Sequence, residues 1–191
     1  QPIPPIPDVP KIKDQDLSAA LSRTIAQLQL EATNASVTLP PNYKFSFEAQ
    51  VNKLSFAPGS LEAVATQLGE VKAICDVLFK AKINSLDNLK RERVSADDSS
   101  TSALLADYLP EKSVTNELAV LTPYEVTFRC FSSELAAVLA GFASSPHALY
   151  VKTINVEVAQ GEAQDPNATP EYAPMPYTVP QAGMQRGESE Q

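Results

Sequence analysis

Apolar and polar residues alternate singly from Tyr124 to Cys130: Tyr124, Val126, Phe128 and Cys130 share one parity, Glu125, Thr127 and Arg129 the other. A period of two marks a strand with one buried face. The period then lengthens. Leu135, Val138, Leu139 and Phe142 recur at i, i+3, i+4 and i+7, a stripe one helix face wide. Ser132 or Ser133 is placed to cap this helix, and Glu134 lies in its first turn. Ser144-Ser145-Pro146 ends it, because proline disfavours helical geometry at the preceding residue. Residues 149–158 resume as a strand, so the stretch predicts strand, helix and a strand returning by a right-handed crossover.

The first half predicts the same order. A helix starting at Asp14 carries Leu17, Leu21, Ile25, Leu28 and Ala32 on one stripe, with Asp14 or Asp16 as its cap. Residues 36–39 read as a short strand ended by Pro40-Pro41. Tyr43, Phe45, Phe47, Ala49 and Val51 then alternate with Lys44, Ser46, Glu48 and Gln50, a half-buried strand. Ser60 is placed to cap a helix with Leu61, Val64, Leu68, Val71 and Ile74 or Cys75 on its buried face, and residues 77–84 turn strand-like again. Leu78-Phe79 and Ile83-Asn84 match Leu149-Tyr150 and Ile154-Asn155 at equal spacing. Two such copies make βαββαβ, an α+β fold class. Its economical closure is a ferredoxin-like four-stranded sheet with both helices on one face, here with an additional N-terminal amphipathic helix. The edges would be 77–84 and 149–158. Val126, Phe128, Leu135, Leu139, Ile154 and Val156 are expected to share a core with Leu61, Leu68 and Phe79.

Composition draws the boundaries. Prolines 2, 4, 5, 7 and 10 make residues 1–13 an extended linker, and Pro166, Pro170, Pro174, Pro176 and Pro180 make 161–191 a Pro/Gln/Glu-rich tail. The domain is expected over 14–160, with a polar, flexible loop at about 93–117. A formal charge of −8 with fifteen Lys and Arg argues against a nucleic-acid groove. No apolar run reaches the roughly 18 residues of a bilayer span. The initial Gln1 points to a processed or truncated product.

Candidate chemistry is sparse. His147 is the only histidine and has no evident orienting partner. Cys75 and Cys130 fall on core faces and are too few for a four-ligand metal site; a disulfide is the alternative in an oxidising compartment. Gly59 and Gly161 belong to no phosphate-binding fingerprint. Asp97-Asp98 reads as a solvated pair, and Lys90-Arg91-Glu92-Arg93 as a solvated strand end. No enzyme, cofactor or metal is expected.

The run Pro123-Tyr124-Glu125-Val126-Thr127-Phe128, the helix 134–142, the strand 151–158 and Val71-Lys72-Ala73-Ile74-Cys75 resemble the periplasmic part of PilO-type pilus-assembly proteins, and the family of the pilus-associated outer-membrane protein of Akkermansia. The resemblance spans roughly residues 14–160. It implies a non-enzymatic, ferredoxin-like ectodomain in the bacterial cell envelope, periplasmic or outer-membrane-associated. Such a domain works by protein–protein contact in a type IV pilus or type II secretion platform, and is normally tethered by a transmembrane helix that this sequence does not contain. Expected partners are a second copy or a related platform subunit. Interface candidates are Leu17, Leu21, Ile25 and Leu28 on the first helix and Tyr150 and Val156 on the last strand. The alternative is a ferredoxin-like regulatory or small-ligand-binding domain.

Overall fold

The computed structural model describes residues 12–99 and 107–158. The expected linker at 1–13 and tail at 161–191 lie almost wholly outside the described residues. Contacts divide the chain into two units, Gln1–Asn155 and Val156–Gln191, and only 156–158 of the second are described.

The first unit is α+β. Helix α1 (Asp14–Asn34) packs on α3 (Leu61–Lys80), and α2 (Glu48–Val51) lies between them in sequence. Strand β1 (Ser85–Glu92) is the centre of a three-stranded sheet, parallel to β2 (Tyr108–Leu109) and antiparallel to β5 (Tyr124–Arg129). Strands β3 (Val114–Thr115) and β4 (Val120–Leu121) form a separate hairpin, and α4 (Ser132–Ala143) follows β5.

The helix stripes do as their spacing predicts. Leu17, Leu21, Ile25, Leu28 and Ala32 of α1 are buried, as are Val64, Leu68, Val71, Ile74, Cys75 and Leu78 of α3. These helices sit over Leu86 and Leu89 of β1. A bulge between Leu86 and Asn88 shifts the alternation, so Leu86, Leu89 and Arg91 all end on the buried side. Capping is less regular than the sequence suggests. Asp14 does not cap α1 but accepts the Phe56 N–H at 3.0 Å, and Glu134 caps α4 by accepting the Phe131 N–H at 2.8 Å.

Three predicted strands are absent from the described sheets. Residues 43–51 form turns and α2: Phe45 and Ser46 take positive φ of 51° and 66°, so Phe45, Ser46 and Phe47 all turn inward and the alternation there is that of a plug rather than a pleat. Residues 77–80 continue α3, because Leu78 extends the stripe of Val64, Leu68, Val71 and Cys75; Lys82, at φ 56°, turns the chain, and the strand begins at Ser85. Residues 149–158 carry no strand among the described residues. Of 36–39, only Thr38 makes a bridge, parallel to Ser85. The apparent duplication therefore pairs a helix end with a segment that carries no strand among the described residues. In the expected shared core, Leu68 and Phe79 are buried and Leu61, Val126 and Phe128 pack half-buried against it; Leu139, Ile154 and Val156 are exposed.

Candidate interaction surfaces and the buried arginine

The sequence reads Arg91 as solvated, but its side chain is 0% exposed. Its guanidinium donates to Asp98 Oδ1 at 2.8 Å, Gln67 Oε1 at 2.7 Å and Gln50 Oε1 at 3.1 Å, and its Nε donates to the Ser46 carbonyl at 3.0 Å. The rings of Phe47 and Tyr108 lie 4.6 and 5.0 Å from it. Asp98 also accepts from the Tyr108 hydroxyl at 2.8 Å, Gln50 Nε2 at 2.6 Å and the backbone N–H of Val94 and Ser95, both at 2.9 Å. Burial opposes ionisation of Asp98, yet the Arg91 charge and these hydrogen bonds outweigh it and hold the carboxyl below its usual range. A buried charge pair is stable only when its hydrogen bonds are filled, and among the described residues no buried side-chain polar atom lacks a partner.

The network is a clamp. It ties α2, α3, β1 and β2 together and pins the segment after β1 that composition marks as a loose loop. Glu92 extends it by accepting from the Ser113 N–H at 2.6 Å and from the Ser113 hydroxyl. Asp97 binds Lys53 and accepts the Ala57 N–H at 2.9 Å, so neither aspartate of the expected solvated pair is merely solvated. No sequence signal marks Arg91, because the basic residues around it are those of an exposed strand end. The β1 bulge alone puts it inside.

The interface candidates separate. Leu17, Leu21, Ile25 and Leu28 are buried in the chain's own core, whereas Tyr150 and Val156 are exposed. The exposed apolar surface instead lies downstream. Leu118 on the β3–β4 hairpin is 95% exposed, Phe131 before α4 is 70% exposed, and Val114, Val120, Leu139, Val151 and Ile154 are also open. On α4 only Val138 is fully buried. Helices α3 and α4 cross closely at Gly141, where an added Cβ would come within 2.7 Å of the Val77 side chain.

Titratable groups do not converge on one pocket. Burial raises Tyr124, whose hydroxyl donates to Glu70 at 2.6 Å; burial also raises Glu70, against the lowering effect of that bond. Cys75 is a buried free thiol pushed up by burial, and Cys130 is a half-buried one. An open groove of about 490 Å³ is lined by Thr38–Pro40, Asn84–Asp87 and Arg129. Among the described residues no three His, Cys, Asp or Glu side chains are grouped to hold a metal, and no helix is long and apolar enough to cross a membrane.

No curated protein matches the chain. The crystal structure of a core domain from Akkermansia muciniphila superposes with a TM-score of 0.54 at 6% identity over 71% of each chain. A second crystal structure from Akkermansia muciniphila gives 0.55 at 6% identity, over 73% of this chain and 65% of that one. At such identity the likeness is one of fold. The model of a pilus-like family matches residues 3–190, nearly the whole sequence, and the chain belongs to that pilus-like family.

Proposed function

We propose that the chain is a non-enzymatic envelope protein of pilus assembly that acts through protein–protein contacts, in the manner of a PilO-type component of a type IV pilus or type II secretion-like platform. The observation that carries this reading is the pilus-like family match over residues 3–190. The distribution of apolar surface supports it: among the described residues, the stretch 114–158 leaves large apolar side chains in solvent, a feature of docking surfaces rather than of finished cores. The run α3–β1–β5–α4, with its two helices in contact, corresponds to the middle of a ferredoxin-like unit, and we read the fold on that plan. Expected partners are a second copy or a related platform subunit, with Tyr150 and Val156 among the contacting residues. The expected location is the periplasm or the outer membrane. Affinity purification of the full-length protein from envelope fractions tests this. Recovery of identified pilus or secretion-platform subunits is the expected result, and an eluate containing none of them would remove the reading.

A further inference from the structure

Strand β5 has β1 on one side and no described strand on the other. In the βαββαβ order that open edge belongs to the strand expected at 43–51, whose residues are instead folded into turns and α2. Which backbone groups face the edge follows from β1. Leu89 donates its N–H to the Tyr43 hydroxyl at 2.7 Å, and Leu86 donates its N–H to the Thr38 carbonyl at 3.0 Å, so both point away from β5. Their opposite residues, Val126 and Phe128, are thus non-hydrogen-bonded partners of β1, and they turn their own N–H and C=O groups outward. Arg129, of the other parity, directs its carbonyl inward to the Asn84 N–H at 2.9 Å. An unprotected edge of this kind invites another strand.

We propose that this edge pairs with the same edge of a second copy, antiparallel about a two-fold axis through Thr127. The residue types select that register. With Thr127 opposite its mate, Val126 faces Phe128 and Glu125 faces Arg129, each pair occurring twice by symmetry. The hydrogen-bonded pairs are then Val126 with Phe128, the residues whose backbone groups point outward. Moving the axis to Val126 or Phe128 sets Glu125 opposite Thr127 or Phe131 and loses both opposite-charge pairs. Within each protomer Glu125 already binds Lys90, and Arg129 binds Asp87 at 2.9 Å. Pairing therefore completes two rows of alternating sign across the joined sheet: Asp87, Arg129, then Glu125 and Lys90 of the second copy. Val126 and Phe128, half-buried in one protomer, gain apolar neighbours on the opposite face.

A second copy is the occupant because the chain's own arms suit the place poorly. Prolines 2, 4, 5, 7 and 10, and 166, 170, 174, 176 and 180, cannot donate ladder hydrogen bonds, whereas β5 contains no proline. The inference rests on the reading of the chain as an assembly protein and locates its self-contact on β5.

The test compares sedimentation of the full-length parent, Glu125→Arg, Arg129→Glu and an equimolar mixture of the two variants. The parent should dimerise, and each variant should self-associate at least roughly tenfold more weakly, since both symmetric pairs become like-charged. The mixture should recover the parent's affinity, because in the mixed dimer each introduced charge faces its opposite. In a Cys130→Ser background, mild oxidation should cross-link Thr127→Cys, whose Cα atoms would lie about 4.5 Å apart. It should spare Glu125→Cys, whose mates would be about 13 Å apart. A monomeric parent, variants that dimerise like the parent, or a mixture no tighter than its components would overturn the pairing. Co-purification with pilus subunits alongside any of those results would leave the assembly reading intact and remove only this interface.

Discussion

Residues 14–92 and residues 114–155 treat their apolar side chains in opposite ways. Among the described residues, the buried apolar ones after Leu89 are only Tyr108 and Val138, and the large exposed ones before Val114 are only Leu30 and Leu54. The first region closes its own core between α1, α3 and β1 and locks the rim with Arg91, whose partner Asp98 comes from the segment after β1. The second leans on that core through Tyr124, Val126, Phe128, Cys130, Val138, Phe142 and Leu149 and leaves Leu118, Phe131, Leu139 and Ile154 open. A closed core and an open apolar surface thus divide along the chain, with β5 as the seam between them.

Substitutions can break this contrast. The largest effect is expected at the lock: Asp98→Ala leaves the Arg91 charge buried without its carboxylate and should cost about 3–5 kcal/mol in chemical denaturation. The pH dependence has a definite sign. A carboxyl held below its ordinary value stabilises the fold above about pH 3.9 and loses that contribution as the pH falls through its folded value. The parent should therefore lose stability in that acid window, and the variant's curve should be flatter there; matching curves would show that the pair is not closed.

Next is Leu21→Ala, which empties a fully buried site between α1 and α3 and should cost about 2–5 kcal/mol. Phe128→Ala should cost less than the 3–5 kcal/mol typical of a buried phenylalanine, since Phe128 is only half-buried in the protomer. Equal losses at the two sites would contradict the division into core and surface.

The contact between the two regions can be probed at Gly141. Alanine there gains helix propensity but forces a Cβ against the β-branched, stiff Val77, and overpacking of this kind costs about 1–3 kcal/mol. A net loss in thermal denaturation is expected, and a more stable variant would mean that α4 is free to shift. The smallest effect should be Leu118→Ala on the hairpin, within about 0.5 kcal/mol by the same denaturation assay. A larger loss would make that residue part of the core.

The sequence by itself determined the parts whose signals are local. Spacing in the heptad range marked α1, α3 and α4 and named the buried stripes of α1 and α3, and single alternation marked β5, because helix and strand periodicity depend only on a residue's neighbours in the chain. The α+β class followed from those elements, and the pilus resemblance was legible in β5 and the helices beside it. Tertiary structure decided the rest. Positive φ at Phe45 and Ser46 turned an alternating run into a plug, and the apolar residues at the end of α3 extended a helix where a strand was expected. The bulge after Leu86 carried Arg91 inside to meet Asp98 from a segment whose composition reads as loop. A one-residue phase shift reverses which face a side chain occupies, and a buried ion pair joins groups brought together by tertiary contact rather than by a sequence period, so neither leaves a local pattern to read.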